Sequence, residues 1–430
     1  MSQRIAIIGA GWAGLAAAVR AVQEGHQVTV FEASRTPGGR ARAVAAAGGE
    51  QRRDNGQHIL IGAYTDTLRL MRLVGVDPDA VLLRLPLTLT FPQGDGLTLP
   101  DWPSPWDVLA GIVRARGWTW ADRLGLLRTA LGWQMAGFQC PPTATVADLC
   151  RALPPAVRDG FIDPLCVSAL NTPAQTASGA VFLRVLKDAL FSVPGGSRLL
   201  LPRTDLGALF PAPAVAWLRQ HGATVRLGER VTALAAGADS WQIDGARFDQ
   251  AIIASSSTEA ARIVAASREY ATNTIANQLT SWATLAQSLH FEAITTVYAQ
   301  SPQGLRQPML ALHSHATRPA QFVFDRGQLT GGIGGPAGLL AFVVSASTGD
   351  NALIESQVVA QARQQLGLTV QPLQTITEKR ATFACTPQLQ RPAQAIAPGL
   401  SACGDYVEGP YPATLEGAVR SGWAAAGLTT

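Results

Sequence analysis

Lysine is almost missing from this chain of 430 residues: its 34 basic residues include only Lys187 and Lys379. Chemistry that needs an amine beside the reacting centre therefore has two candidates at most. Cysteine is also sparse. Cys140, Cys150, Cys166, Cys385 and Cys403 are scattered, and none forms a C-x-x-C pair. That spacing offers neither a zinc site nor a disulfide framework, points to no metal, and fits a reducing cytoplasm. Charged residues make up only 15% of the chain, with a net charge of +4 and no basic cluster, so no nucleic-acid module is indicated. Long apolar runs are lacking too. The longest uncharged stretch, between Arg326 and Asp350, is broken by Gly331-Gly332, Gly334-Gly335-Pro336 and Gly338, and reads as strand–turn–strand rather than a membrane span. The apolar N-terminus carries only Arg4 as a basic flank, too little for a signal peptide.

What the chain does have is a core-forming composition, 47% apolar, and enough length for two domains. Its opening is the most informative stretch. Arg4–Ile8 reads as a buried parallel strand and Ala16 to Val22 as a helix, with Gly9, Gly11 and Gly14 between them. G-x-G-x-x-G in that setting binds dinucleotides. Gly9 permits the turn, Gly11 removes the Cβ facing a pyrophosphate, and Gly14 lets helix and strand approach. Trp12 and Ala13 then sit on the helix N-terminus, whose free N–H groups face the phosphates. A second strand, Gln27–Phe31, ends in Glu32 and Ala33. An acid there suits the ribose hydroxyls of an adenine dinucleotide.

Farther on, Gly38-Gly39-Arg40 offers close backbone approach and a cation for a phosphate. Asp54-Asn55-Gly56-Gln57-His58 is a polar turn entering an apolar strand, with His58 a candidate acid or cofactor neighbour. A second α/β segment spans about 212–254 and holds Val231. Near the end, Gly404-Asp405 closes a short strand, and a helix starts near Thr414, Leu415 and Glu416. Asp405 suits a ribityl or ribose hydroxyl, and the helix N-terminus suits developing negative charge. The expected architecture is α/β with an α+β substrate part. A Rossmann-type dinucleotide domain, discontinuous in sequence (1–70, 212–260, 381–430), carries an inserted substrate domain of sheet plus helices (71–211, 261–380).

Residues 102–138 stand apart. They hold Trp102, Trp106, Trp118, Trp120 and Trp133, five of the ten tryptophans, interleaved with Arg114, Arg116, Arg123 and Arg128. Trp120, Leu124, Leu127, Leu131 and Met135 share one helical face. Such a stripe suits either a helix lying on a bilayer surface or a lid packed on its own domain.

The glycine fingerprint, Glu32, Gly38-Gly39-Arg40 and Gly404-Asp405 resemble the FAD-binding amine oxidase and carotenoid desaturase superfamily. Within it, the chain is most similar to the bacterial hydroxysqualene dehydroxylase family. The stretches that carry this likeness are Asp54–His58, Ala169-Leu170-Asn171-Thr172-Pro173, Leu201–Leu206, Phe322-Val323-Phe324-Asp325-Arg326 and Gly404–Ala418. The resemblance implies non-covalent FAD. It also implies reductive removal of an allylic hydroxyl, in which hydroxysqualene and reduced FAD give squalene, water and FAD in squalene and hopanoid biosynthesis. That chemistry calls for a dry apolar tunnel, an acid for the leaving hydroxyl, and an external electron donor. His58, Glu408, Tyr406 and Tyr411 are the candidate acids. A substrate that partitions into bilayers implies a cytoplasmic protein, peripheral on the inner face of the cytoplasmic membrane. The opposite redox direction, a polyene desaturase, shares the fold. An amine oxidase is disfavoured, since neither lysine lies in a flavin-type motif.

Overall fold

The structure, a computed structural model, describes residues 2–45, 52–330 and 338–427. Its first layer grows from β1 (Arg4–Ile8), α1 (Trp12–Gln23) and β2 (Gln27–Glu32). β1 pairs in parallel with β2 on one side and with Gln250–Ile253 on the other. Thr224–Leu227 extends the sheet beyond β2, and Leu400–Ala402 and Ala395–Ala397 complete it to six strands. Ile5 and Ile7 enter one apolar cluster, with α1 and Val419; Ala6 and Ile8 enter another on the opposite face. Burial of both faces is what a parallel sheet requires, and explains the unbroken apolar run of β1. This is a Rossmann-type layer assembled from distant parts of the chain.

Helix Leu415–Ala426 returns to pack on α1. A Cβ on Gly422 would lie 2.0 Å from the Ala13 carbonyl oxygen, so the two backbones meet where no side chain fits.

The second layer is a five-stranded antiparallel sheet ordered Met309–Ala311, Phe322–Asp325, Leu339–Ser345, Phe291–Gln300, Gln371–Phe383. Alternation splits its residues cleanly. Val297, Leu340 and Phe342 pack on helix Asn351–Gln361. Phe322, Phe324 and Val343 face the other way, toward Leu199 and Leu201 and the central cavity. The strand Gln371–Phe383 is not evident in the sequence, because its Thr, Glu, Lys and Arg residues leave no apolar stripe; its register against Phe291–Gln300 supplies the pairing. The glycine-rich turn expected around Gly334-Gly335-Pro336 lies outside the described residues.

The third element is helical. Asp163–Leu170 and Gly179–Lys187 bury Cys166, Leu170, Phe182 and Leu183. Helices Trp106–Arg114 and Trp120–Met135 lie outside them. Thr119 and Asp122 form a reciprocal capping box that starts the second of these. Most of its stripe does not turn inward: Trp120 is 64% exposed, Leu131 56% and Met135 81%, and only Leu127 of the five packs partly on the core, while Leu126 and Asp122 are buried. Trp118 departs from its neighbours, being buried edge-to-face against Phe161. No helix among the described residues is long and apolar enough to cross a membrane.

Candidate active site

The three layers enclose a cavity of about 490 Å³. Its floor is the glycine turn. Gly9 adopts φ +118°, and its N–H donates to the Phe31 carbonyl at 2.7 Å. A Cβ there would press on Ala254 oxygen at 2.8 Å, so only glycine fits both the conformation and the space. Gly14 does not line the cavity: a Cβ would strike the Gly9 carbonyl at 2.0 Å, and its role is the close packing of α1 on the turn. Gly11 differs. A Cβ there would find only the Gly39 Cα, 4.0 Å away, so the space it keeps open belongs to the cavity. α1 has no side-chain cap, and Trp12 and Ala13 at its first turn line the cavity. An uncapped helix N-terminus beside an open cradle is the expected receptor for a pyrophosphate.

Glu32 is held ready at the adjoining wall. One carboxylate oxygen accepts from Ala10 N–H at 2.7 Å and the other from Ser34 N–H at 2.8 Å. Ala33 and Val231 line the same part of the cavity. The residues therefore fit an adenine dinucleotide: a cradle, a helix terminus and an oriented acid.

At the other end, Arg40 and Asp405 converge from opposite ends of the chain into an ion pair, and Arg40 also donates to the Ala381 carbonyl at 2.8 Å. Burial works against the Arg40 charge, but the Asp405 carboxylate, helped by Glu378, outweighs it and holds the guanidinium pKa above its ordinary value. The cation expected for a phosphate and the acid expected for a hydroxyl are thus each other's partners. Gly39, Gly56, Gln57, His58, Gly404, Thr414 and Leu415 line the same region. The Thr414 hydroxyl caps the last helix, accepting from Gly417 N–H at 2.9 Å.

Glu416 corrects the sequence reading. It does not line the cavity. Its buried carboxylate accepts from Asp66 N–H, Thr67 N–H, the Thr67 hydroxyl and Arg420 Nε. It caps helix Thr65–Leu73, whose own N-cap residue, Tyr64, supplies no side-chain bond.

Three family-like stretches meet behind Gln57. Arg326 donates to Gln57 Oε1 at 3.4 Å and to the Pro202 carbonyl at 3.2 Å, and stands 3.8 Å from the Asp54 carboxylate. Asp54 in turn accepts from Leu206 N–H at 2.8 Å. Motifs far apart in sequence thus fix the backbone and amide that precede His58.

Of the four candidate acids, only His58 lines the cavity. Its Nδ1–H donates to the Gly56 carbonyl at 2.9 Å, leaving Nε2 as the atom that exchanges a proton. Burial lowers its pKa, the Gly56 carbonyl opposes this, and Arg40 lowers it further. Tyr406 is buried but turned beneath Gly404 into the core, its hydroxyl without a partner and its pKa pushed well up, chiefly by burial. Tyr411 lies outside the cavity between the Arg184 and Arg420 guanidinium groups. Glu408 is exposed. The loop after Asp405 leads these three away from the cavity wall. Sequence reasoning also missed lining residues. Tyr64, Ser345, Glu378 and Thr382 sit in stretches without a dinucleotide signature. Asn171 lay within a family-like motif but carried no assigned chemistry.

The sequence model for flavin containing amine oxidoreductase matches residues 12–428. The chain belongs to this family. Its members' flavin fits the cradle described above, and the protein is an FAD-dependent oxidoreductase. Among curated proteins, it is 27% identical over 453 residues to hydroxysqualene dehydroxylase of Rhodopseudomonas palustris, covering 100% of this chain and 98% of that one. The zeta-carotene desaturase of Arabidopsis thaliana is 34% identical, but over only 93 residues, covering 22% of this chain and 16% of the other. Among solved structures, cyclohexylamine oxidase from Brevibacterium oxydans superposes with a TM-score of 0.68 at 16% identity, covering 100% of this chain and 98% of that one. The last likeness is one of fold.

Proposed function

We propose that this protein is a hydroxysqualene dehydroxylase of squalene and hopanoid biosynthesis. It removes the allylic hydroxyl of hydroxysqualene to give squalene and water while reduced FAD becomes FAD. The observation that carries the reading is end-to-end likeness to an enzyme of that name, where the desaturase likeness is confined to a fifth of the chain. The cavity supports it. Beyond the dinucleotide cradle its wall includes Ile294, Phe322, Phe324 and Val343, an apolar surface suited to an isoprenoid chain and to exclusion of water.

When bound, non-covalently, reduced FAD supplies the hydride, and an external electron donor restores it. The chain's own residues do the rest. The glycine turn, Glu32 and the N-termini of α1 and of the last helix hold the dinucleotide. Gln57, fixed by Arg326, sets the wall beside it. His58, kept neutral at rest by burial, takes up a proton at Nε2 and passes it to the leaving hydroxyl. The C–O bond breaks, that oxygen takes the proton and departs as water, and a C–H bond forms.

The substrate belongs in a bilayer, and the exposed face of residues 102–138 supports peripheral attachment at the inner face of the cytoplasmic membrane. Trp102, Trp106, Trp120, Leu124, Leu131 and Met135 are exposed there, and both acids of the two helices, Asp107 and Asp122, are buried, so its outward charges are arginines. Flotation with liposomes, lost on changing Trp106 and Trp120 to Ala, is the expected result; flotation unaffected by those changes rejects the attachment site.

The reaction is tested without oxygen. Reduced enzyme, freed of excess reductant, is mixed with hydroxysqualene. Recovery of the oxidised-flavin absorbance band with one squalene formed per flavin is expected. No reoxidation, with bleaching when oxidised enzyme meets a polyene precursor, would instead identify a desaturase.

A further inference from the structure

Asn171 ends helix Asp163–Leu170 in the left-handed region, at φ +46°. Its side chain, 4% exposed as a residue, crosses to the antiparallel sheet. There the backbone dictates how the amide is turned. Oδ1 accepts from Ala346 N–H at 2.7 Å, and Nδ2 faces the Glu292 carbonyl at 3.5 Å. Nδ2 also donates to Thr382 Oγ1 at 2.9 Å. Because Nδ2 has only protons to offer, Thr382 Oγ1 accepts, and the hydroxyl proton must go elsewhere. No described residue accepts it. Thr382 and Asn171 both line the cavity, on the wall that carries Ile294, Phe322 and Val343.

The site is held against local preference. Ala346, the donor to Asn171, is itself left-handed, at φ +45°. Two non-glycine residues in that region persist only where the surroundings impose the conformation. The neighbouring residue adds a second pin: the Thr172 hydroxyl accepts from Cys385 N–H at 3.1 Å and donates to the Leu170 carbonyl at 3.0 Å. Two successive residues thus lock the helix end to the strand that carries Thr382.

We infer that Thr382 is the contact residue for the substrate hydroxyl, donating its free O–H to that oxygen, and that Asn171 is the positioning residue that leaves Thr382 no other use for its proton. A free donor beside Ile294, Phe322 and Val343 selects a chain bearing an oxygen over the bare hydrocarbon. In the dehydroxylase reading, on which this rests, that is the difference between substrate and product, so the pair favours release of squalene once the hydroxyl is gone.

The test compares ligands, not rates. Hydroxysqualene and squalene are titrated separately into oxidised holoenzyme, and binding is followed by the flavin spectrum. Wild type is expected to bind the alcohol more tightly. Thr382→Val, which keeps the shape, is expected to weaken the alcohol about three- to tenfold and leave squalene unchanged. Thr382→Ser is expected to restore the preference. Asn171→Gly, which tolerates the left-handed backbone, is expected to reproduce the selective loss. Equal losses for both ligands, or none in Thr382→Val, overturn the assignment while leaving the dehydroxylase reading intact. Wild type that binds neither ligand and shows no single turnover refutes the reading itself.

Discussion

Replacing Glu416 separates two roles that its position at a cofactor-facing helix confuses. Its carboxylate is 1% exposed and takes hydrogen bonds from two backbone amides, one hydroxyl and one guanidinium. In Glu416→Ala, Thr67 is left with a buried N–H and hydroxyl unpaired, at about 1–3 kcal/mol for each orphaned group. The Arg420 charge is not stranded, since Asp66 lies 2.8 Å away. The expected loss is therefore about 2–6 kcal/mol, from those two orphaned groups. Glu416→Gln keeps an acceptor oxygen and is expected to lose about 1–2 kcal/mol. Urea unfolding of the FAD-free protein is the assay, because bound cofactor stabilises the folded state and would mix the two effects. The result that refutes the capping role is an Ala variant as stable as wild type that has lost FAD affinity.

The glycine turn yields an internal control. Gly11→Ala is expected to leave FAD-free stability unchanged and weaken FAD binding, whereas Gly14→Ala is expected to destabilise the FAD-free fold by about 3 kcal/mol or more through overpacking; unfolding and flavin titration of both variants check this. Burial lowers the folded pKa of His58 from the ordinary 6.5. Between the two values the unfolded chain holds a proton that the folded chain does not, so stability falls as pH drops below about 6.5 and levels off past the folded value. Urea midpoints measured across that range should fall less steeply in His58→Gln; identical slopes reject the assignment.

The dinucleotide half of the molecule could be read from the sequence because glycine leaves its mark on the chain itself. Gly9 and Gly14 mark places where a Cβ has no room, and Gly11 the place where it would occupy a ligand's room. The substrate half has no such local cause. Thr382 lies in a polar strand that exists only by pairing with Phe291–Gln300, and nothing in its own neighbours announces that register. Glu416 was misassigned because adjacency along a helix was taken for adjacency in space: Leu415 lines the cavity, and the next residue points to another helix. Tyr406 and Tyr411 failed likewise, on a loop whose course no periodicity reports. The tryptophan helix was legible as a pattern, but a pattern cannot say which side of it meets the protein. Trp118 and Trp120 are two residues apart, one in the core and one 64% exposed.

The order in which the Rossmann sheet acquires its strands bears on how the protein is made. β1 and β2 leave the ribosome long before their other parallel partners, residues 250–253 and 224–227, and the sheet is not closed off until 395–402. At about 5–20 residues per second, roughly ten to fifty seconds of translation separate β1 from its second partner at 250–253. Throughout that interval a short strand, apolar but for Arg4, has an edge that can pair with another chain. Helix Leu415–Ala426, whose Gly422 lies against Ala13 of α1, completes the cofactor domain only after every strand of the sheet has been made. A truncation that spares every strand but removes this helix should therefore yield a nascent-like product: chaperone-bound, aggregation-prone and unable to retain flavin.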